Sequence, residues 1–123
     1  MKLKKKLICF DLDGVICKNT KYKNSNLINY HKSKSIPSAI KTINKLYENG
    51  HTIIIYTARG MTRYKGNVSL IKKNLSRLTI NSLKAWKIKY HKLVFGKIYY
   101  DYIIDDKSID YSKNWIKTIK NKI

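Results

Sequence analysis

The chain has 123 residues, of which 27 are lysine or arginine and only 7 are aspartate or glutamate, giving a formal net charge of +20 at pH 7. This length suits a single domain, predicted to span residues 1–123, with a small hydrophobic core. No apolar run approaches the roughly 20 residues that cross a bilayer, and two cysteines cannot form a disulfide framework, so we expect a cytoplasmic protein without membrane contacts.

Strands and helices alternate along the first half of the chain. An apolar strand is predicted at Lys6–Phe10, and a polar, irregular surface loop is predicted from Lys18 to Ser35. A helix should begin with Pro37, whose fixed φ suits the first helical position, and end near Gly50. The next apolar strand is predicted at His51–Tyr56.

The second half continues the same alternation after a glycine-containing loop at 58–67. The remaining predicted elements are a short helix in Val68–Leu78, a second helix capped by Thr79, strands at Lys92–Phe95 and Tyr99–Ile104, and a closing amphipathic helix around Trp115. Strands that alternate with helices predict an α/β fold with right-handed crossovers and a parallel sheet flanked by helices.

The acidic residues are concentrated at the ends of predicted strands. Asp11 and Asp13 follow the first strand, and Asp105 and Asp106 follow the last. The carboxyl ends of parallel strands meet at one edge of a sheet, where ligands bind, so we expect these carboxylates to converge. Carboxylates beside apolar runs need a positive partner, and Mg²⁺ prefers such oxygen ligands.

A site of this kind suits phosphoryl transfer, which needs positioning and charge stabilisation. Lys97 would neutralise phosphoryl charge, and the Thr57 hydroxyl would donate a hydrogen bond to a phosphoryl oxygen. Of two aspartates one residue apart, one can attack phosphorus while the other protonates the leaving oxygen and later deprotonates water.

Four short stretches in order, "DLDGV", "IIIYT", "VFGK" and "YIIDD", resemble the four motifs of the haloacid dehalogenase (HAD) superfamily. The resemblance covers residues 7–106 and implies a three-layer, Rossmann-like core and an Mg²⁺-dependent phosphatase. It implies that Asp11 is the nucleophile and that Asp13 is the general acid/base and also contacts the metal through its backbone carbonyl. Asp106 would bind the metal directly, with Asp105 beside it or acting through water. Asp110 fits an alternative Asp-x4-Asp spacing from Asp105 and is a further candidate that would support the metal without binding it directly.

A narrower resemblance rests on "TARGMTRYKGN" and "YIIDDKSID", which are similar to small HAD phosphatases of capsule and surface-polysaccharide biosynthesis. It implies a small phosphorylated substrate, such as a sugar, polyol or amino-alcohol phosphate. The loop residues Arg59, Arg63, Tyr64 and Lys65 are candidates for binding substrate anions, with a solvated loop as the alternative. The intervals between the motifs leave no room for a sizeable cap domain. "FGKIYYD" departs from the family by lacking a proline after the lysine.

The positive charge leaves other functions open. A phosphatase acting on nucleic-acid ends or phosphoprotein is one alternative, and a basic binding module without catalysis is another. Nucleic acid is not the favoured partner, because codon bias in an A- and T-rich genome explains abundant lysine equally well. A homo-oligomer is compatible with the resemblance, although the sequence shows no interface.

Overall fold

The computed structural model describes residues 4–123, so the predicted domain's first three residues lie outside the described part. Its elements are β1 (Leu7–Asp11), β2 (Cys17–Lys21), β3 (Ile28–Ser35), α1 (Pro37–Glu48), β4 (Thr52–Thr57), α2 (Val68–Ala85), β5 (Lys92–Phe95) and α3 (Trp115–Lys122). No helix among the described residues is both long enough and apolar enough to cross a membrane.

The central feature is a parallel sheet of three strands in the order β1-β4-β5. Leu7 lies opposite Thr52, and Ile54 lies opposite Lys92 in the next pair of strands. The predicted α/β fold with a parallel sheet is therefore confirmed. All three strands run in one direction, so the residues that follow them share one edge of the sheet.

Helix α1 agrees with the sequence prediction. Pro37 occupies its first turn after Ile36, and Gly50 follows its end with a φ of +94°, a left-handed conformation that glycine adopts without a steric cost. Its apolar face contributes Ile43 to the main core, which also holds Phe10 of β1 and Trp115 of α3. The rings of Phe10 and Trp115 meet edge to face with centroids 6.0 Å apart.

The polar segment between β1 and α1 is not an irregular loop as predicted. Strands β2 and β3 form an antiparallel hairpin, with an irregular register between Lys18 and Thr20. The hairpin directs polar side chains inward, among them Asn19 and Ser33, which hydrogen-bond to each other. A strand whose inner face is polar lacks the apolar alternation by which sequence patterns reveal strands, which explains the error.

Helix α2 is one continuous helix, and the prediction of a second helix capped by Thr79 is wrong. Asn67 caps its beginning by accepting a hydrogen bond from the Leu70 N–H at 3.1 Å. Thr79 is fully buried inside the helix, where its hydroxyl accepts a hydrogen bond from Nη1 of Arg59 at 3.1 Å. Thr79 thus makes a buried contact with a residue distant in the sequence. A local sequence pattern cannot distinguish such a threonine from one that caps a helix.

The strand predicted at Tyr99–Ile104 is absent from the described structure. Residues 98–106, which we call the arm, have no regular secondary structure, and the side chains of Tyr102 and Ile104 are 91% and 101% exposed. Aromatic and β-branched residues favour a strand only where a neighbouring strand pairs with them, and no described strand does so here. The parallel sheet therefore has three strands instead of four.

Candidate functional site

The carboxyl edge of the parallel sheet carries a small cavity of about 270 Å³. The residues that line it are Asp11, Asp13, Ala58, Lys97, Ile98, Tyr99 and Tyr100. They come from the ends of β1, β4 and β5 and from the beginning of the arm. The sheet thus brings together residues up to 89 positions apart, from Asp11 to Tyr100, as the strand order requires.

Asp11 and Lys97 form the charged pair at this cavity. Lys97 Nζ lies 3.6 Å from Asp11 Oδ1, and that oxygen also accepts a hydrogen bond from the Leu12 N–H at 3.0 Å. Burial raises the pKa of the Asp11 carboxyl, and the opposing effects of Lys97 and the Leu12 N–H do not fully offset it. A partly desolvated carboxylate therefore faces an ammonium group across a gap too long for a hydrogen bond.

The pKa of Lys97 is also raised, so the side chain stays protonated at neutral pH. Burial acts to lower this pKa, but hydrogen bonding to Tyr100 and the attraction of Asp11 together outweigh it. The ammonium lies 5.3 Å from the centre of the Tyr100 ring, which holds it beside the cavity. A permanent positive charge at this point can attract a phosphoryl group.

Asp13 is held by the guanidinium of Arg59. Nε of Arg59 lies 3.0 Å from both carboxylate oxygens, and Nη2 lies 2.9 Å from Oδ1. The Arg59 side chain is completely buried, whereas that of Asp13 is 26% exposed. The prediction that Arg59 contacts substrate is therefore corrected, because an interior guanidinium that already binds Asp13 is not available to a substrate anion.

The remaining partners of Arg59 and Asp13 come from the hairpin and from α2. Arg59 donates to Thr79 and to Ser33, and its guanidinium carbon lies 4.4 Å from the centre of the Tyr30 ring. Asn19 donates to Asp13 Oδ1 at 2.6 Å. Sequence analysis missed these four residues, since each lies in an element that was predicted wrongly. A buried arginine needs several acceptors, but no local pattern indicates which residues supply them.

Thr57 lies at the site as predicted, but its hydroxyl is already engaged. It donates to Asp13 Oδ2 at 3.4 Å and accepts from the backbone N–H of Arg59 at 3.1 Å. The residue is fully buried at the end of β4. In this arrangement Thr57 orients Asp13, and contact with a phosphoryl oxygen would require the long bond to Asp13 to open.

Cys17 lies beside Asp13 and Arg59, and its thiol has a low reactivity. Its Sγ is 3.4 Å from Asp13 Oδ1 and 3.6 Å from Nη2 of Arg59. Burial, followed by the negative charge of Asp13, raises its pKa from 9.0 to about 12. The thiolate is therefore scarce at neutral pH, which does not favour Cys17 as a nucleophile.

The second pair of aspartates does not join the first. Asp105 and Asp106 are exposed, and Asp105 Oδ1 accepts a hydrogen bond from the Lys107 N–H in a local turn. Asp110 is also exposed. Within residues 4–123 there is no group of three or more His, Cys, Asp or Glu side chains placed to hold a metal ion. In this conformation the side chains of Asp11, Asp13, Asp105 and Asp106 do not form a group placed to hold Mg²⁺, and the predicted contact through the Asp13 backbone carbonyl stays a prediction.

The other predicted substrate contacts lie on the loop between β4 and α2. Arg63 and Lys65 are exposed and Tyr64 is half-buried, with the Arg63 guanidinium carbon 5.6 Å from the Tyr64 ring centre. These three residues are not among those that line the cavity. The loop is therefore present as predicted, but the structure does not bring its basic residues to Asp11.

Comparison with known proteins identifies the fold and leaves the family open. No family model and no curated protein sequence matches the chain. A crystal structure of a target protein from Vibrio cholerae is similar, with 24% sequence identity and a TM-score of 0.74 over 97% of this chain and 98% of that one. At this identity the similarity shows the fold alone. The chain is thus a small α/β protein that shares its architecture with this bacterial structure.

Proposed function

We propose that the protein is a phosphatase of the HAD superfamily that hydrolyses a small phosphorylated metabolite. The observation that carries this proposal is the pairing of the Asp11 carboxylate with the Lys97 ammonium, 3.6 Å apart, at a cavity on the carboxyl edge of the sheet. Asp13 lies beside them in an orientation fixed by Arg59. A nucleophile, a cation for the phosphoryl group and a second carboxylate are thereby present in one place.

The proposed reaction has two steps. An Asp11 oxygen attacks phosphorus, the bond from phosphorus to the leaving oxygen breaks, and an aspartyl-phosphate forms. Asp13 enters the first step protonated and gives its proton to the leaving oxygen, and in the second step the resulting carboxylate takes a proton from the water that attacks the aspartyl-phosphate. Phosphate leaves and Asp11 is regenerated. Lys97 balances the negative charge of the phosphoryl group in both steps.

Mg²⁺ is the cofactor that the sequence resemblance implies, and its requirement is part of the proposal. Asp13 would contact the ion through its backbone carbonyl, so its carboxylate can stay bound to Arg59. Asp105 and Asp106 lie in the exposed arm, so their binding to the same Mg²⁺ as Asp11 requires the arm to move. The substrate is proposed to be a sugar, polyol or amino-alcohol phosphate of surface-polysaccharide synthesis. A cavity of about 270 Å³ suits a substrate of that size.

The test is phosphate release from p-nitrophenyl phosphate and a panel of phosphorylated metabolites, with Mg²⁺ or with EDTA. Asp11→Asn should lower turnover at least ~10³-fold, because the amide cannot form the covalent intermediate. Glu48→Gln is the matched control, since Glu48 is exposed on α1 and pairs only with the exposed Lys89. Near-normal activity of Asp11→Asn would disprove the assignment of Asp11 as the nucleophile. Undiminished activity in EDTA would disprove the proposed requirement for Mg²⁺.

A further inference from the structure

The cavity beside Asp11 has a charged side and an uncharged side. The charged side chains are those of the proposed reaction. The rest of the described lining consists of uncharged residue types: Ala58, Ile98, Tyr99 and Tyr100. A phosphate ester whose phosphoryl group lies between Asp11 and Lys97 therefore places the remainder of the molecule against an apolar and aromatic surface.

Tyr99 is the residue of this uncharged side whose ring is free. It is 73% exposed and belongs to neither hydrophobic core. The neighbouring Tyr100 is half-buried, and its ring is occupied by the Lys97 ammonium, 5.3 Å from the ring centre. Among residues 4–123, no second ring and no cation is in contact with the ring of Tyr99. The Tyr99 ring is thus available to a ligand in the cavity.

The chain on both sides of Tyr99 is held in place. Before it, the Lys97 N–H donates to the Thr57 carbonyl at 3.2 Å, which ties the chain to the end of β4. After it, the contact between the Tyr100 ring and the Lys97 ammonium closes a short loop. Tyr99 therefore stays beside the cavity, two positions from the cation that attracts the phosphoryl group.

The chemistry of this surface discriminates between phosphate esters. It offers no free ionic partner to a second charged group, because Lys97 faces the phosphoryl group and the Asp13 carboxylate is paired with Arg59. An acyclic alcohol has no flat face to present to an aromatic ring. A sugar or aryl ring can lie against Tyr99, since the negative face of the tyrosine ring attracts C–H groups.

We propose that Tyr99 is a specificity-determining residue, whose ring stacks on the alcohol part of the substrate and selects phosphate esters of uncharged, ring-containing alcohols over acyclic ones. As a statement about the substrate of this site, the inference rests on the proposed function. Ile98, which is 68% exposed and also lines the cavity, extends the apolar surface beside the ring. Tyr99 does not touch the reacting atoms, so its removal should raise KM and leave kcat nearly unchanged.

The turnover test compares glucose 6-phosphate with glycerol 3-phosphate, which both release a primary alcohol although only the first contains a ring. The native enzyme should have the higher kcat/KM for glucose 6-phosphate. Tyr99→Ala should lower the ratio of the two kcat/KM values about 2- to 10-fold, the range expected for one lost stacking contact. Tyr99→Phe keeps the ring and should retain the ratio.

Tyr102→Ala is the matched control, because Tyr102 is 91% exposed on the same arm but does not line the cavity. It should also retain the ratio. An unchanged ratio in Tyr99→Ala would overturn the proposal, and so would an equal loss in Tyr99→Phe or in Tyr102→Ala. Because Tyr99 is mostly exposed and lies outside both cores, Tyr99→Ala should fold like the native chain, which circular dichroism checks.

A binding test needs no turnover and decides alone if neither ester is hydrolysed. Phenylphosphonate and methylphosphonate carry a phosphoryl-like anion on a carbon–phosphorus bond that phosphatases do not hydrolyse. At equal concentration and ionic strength, phenylphosphonate should raise the melting temperature of the native protein more than methylphosphonate does. The excess should disappear in Tyr99→Ala and remain in Tyr99→Phe and Tyr102→Ala. Equal shifts by the two phosphonates in the native protein would overturn the proposal.

The two readouts separate this inference from the proposed function. Turnover of both esters with a ratio that does not depend on Tyr99 would retain the phosphatase and remove Tyr99 as a specificity-determining residue. A Tyr99-dependent excess for phenylphosphonate, without turnover of any phosphate ester, would remove the phosphatase and retain Tyr99 as the residue that binds the ring.

Discussion

At the scale of single residues, the contact between Arg59 and Asp13 dominates the site. A buried guanidinium is stable only when its donors are satisfied, and here Asp13, Thr79 and Ser33 all accept from it. Removing one partner of such a pair leaves a buried charge without compensation. The resulting loss of stability is larger than the net stabilisation that the intact pair provides. The geometry of Asp13 is therefore coupled to the stability of the hairpin and α2.

Arg59→Ala should lower the free energy of unfolding by about 3 kcal/mol or more, measured by urea denaturation. The change leaves the Asp13 carboxylate without its guanidinium and the Thr79 hydroxyl without its donor. Arg63→Ala is the matched control, because Arg63 lies on the same loop but is exposed, and it should change stability by less than about 0.5 kcal/mol. Equal effects of the two substitutions would contradict the buried position of Arg59.

Asp11 gives a prediction about pH. Its folded-state pKa is raised above the ordinary value chiefly by burial, so folding disfavours the carboxylate form. The resulting loss of stability is present at pH above the raised pKa and disappears as the pH falls below the ordinary value, where the carboxyl is neutral in both states. Asp11→Asn should thus melt higher than the native protein at pH 7, and the difference should shrink towards pH 3.

Differential scanning calorimetry between pH 3 and pH 7 measures this difference. Glu48→Gln should show no such gain, because it removes only an exposed ion pair with Lys89. If the melting temperature of Asp11→Asn rises relative to that of the native protein as the pH falls, the Asp11 carboxylate stabilises the fold and the prediction is wrong. An increase in melting temperature on substitution is typical of a functional residue that the fold retains at the expense of stability.

At the scale of elements, apolar strands and one capped helix could be predicted from the sequence. The runs that became β1, β4 and β5 are short and mostly apolar, and each strand buries at least one of its apolar side chains in a core. Helix α1 carried a proline at its start and a glycine after its end. In these elements local preference and tertiary burial agree, which is why local patterns were sufficient.

The other elements depend on distant residues. The hairpin is held partly by polar contacts to Arg59 and Asp13, so its inner face lacks an apolar pattern. Thr79 lies inside α2 because Arg59 requires an acceptor there. The arm has the composition of a strand but no neighbour in the described chain. Each error therefore arose where a long-range contact, or its absence, decided the local structure.

Gly60 shows how closely the loop at 58–67 packs against α2. Its φ is +77°, and an added Cβ would lie 2.9 Å from Leu75 Cδ1 and 3.1 Å from Ile71 Cγ1. Both neighbours are buried and cannot move aside easily. The glycine is thus required by backbone conformation and by packing together.

Gly60→Ala should cost about 1–3 kcal/mol more than Gly66→Ala, measured by urea denaturation. Gly66 has nearly the same φ of +76°, but an added Cβ would find only Met61 Cε at 3.9 Å. The control therefore reports the backbone cost alone, about 1–2 kcal/mol. Similar losses at the two positions would show that the loop does not pack on α2 as described.

At the scale of the whole molecule, the convergence of Asp11, Asp13, Thr57 and Lys97 was predictable from the parallel direction of the strands, without knowledge of their order. Each lies at the end of a parallel strand or in the turn after it, and parallel strands end at a common edge. The contacts of Asp13 with Asn19 on the hairpin and of Arg59 with Thr79 on α2 were not predictable, because no local pattern indicates them. The position of Asp105 and Asp106 was predicted wrongly, because it depended on a fourth strand that the described chain does not form.

Net charge gives a prediction for the entire fold. A formal charge of +20 on 123 residues destabilises the compact state by self-repulsion, and salt screens it. Raising NaCl from 0.01 M to 0.15 M shortens the Debye length from about 30 Å to about 8 Å and should raise the melting temperature. A fall would mean that exposed ion pairs such as Lys89 with Glu48 outweigh the repulsion.

Phosphate at the same ionic strength separates general screening from binding at the site. If Lys97 attracts a phosphoryl group, phosphate should raise the melting temperature beyond the value in NaCl, since a ligand that binds only the folded state stabilises it. Lys97→Gln should remove that excess while leaving the response to NaCl unchanged, because it alters one of 27 basic residues. Lys92→Gln, at the beginning of β5 and exposed, should retain the excess. An excess that survives in Lys97→Gln would place the anion elsewhere on the basic surface, and the cavity beside Asp11 would lose its support as a phosphate site.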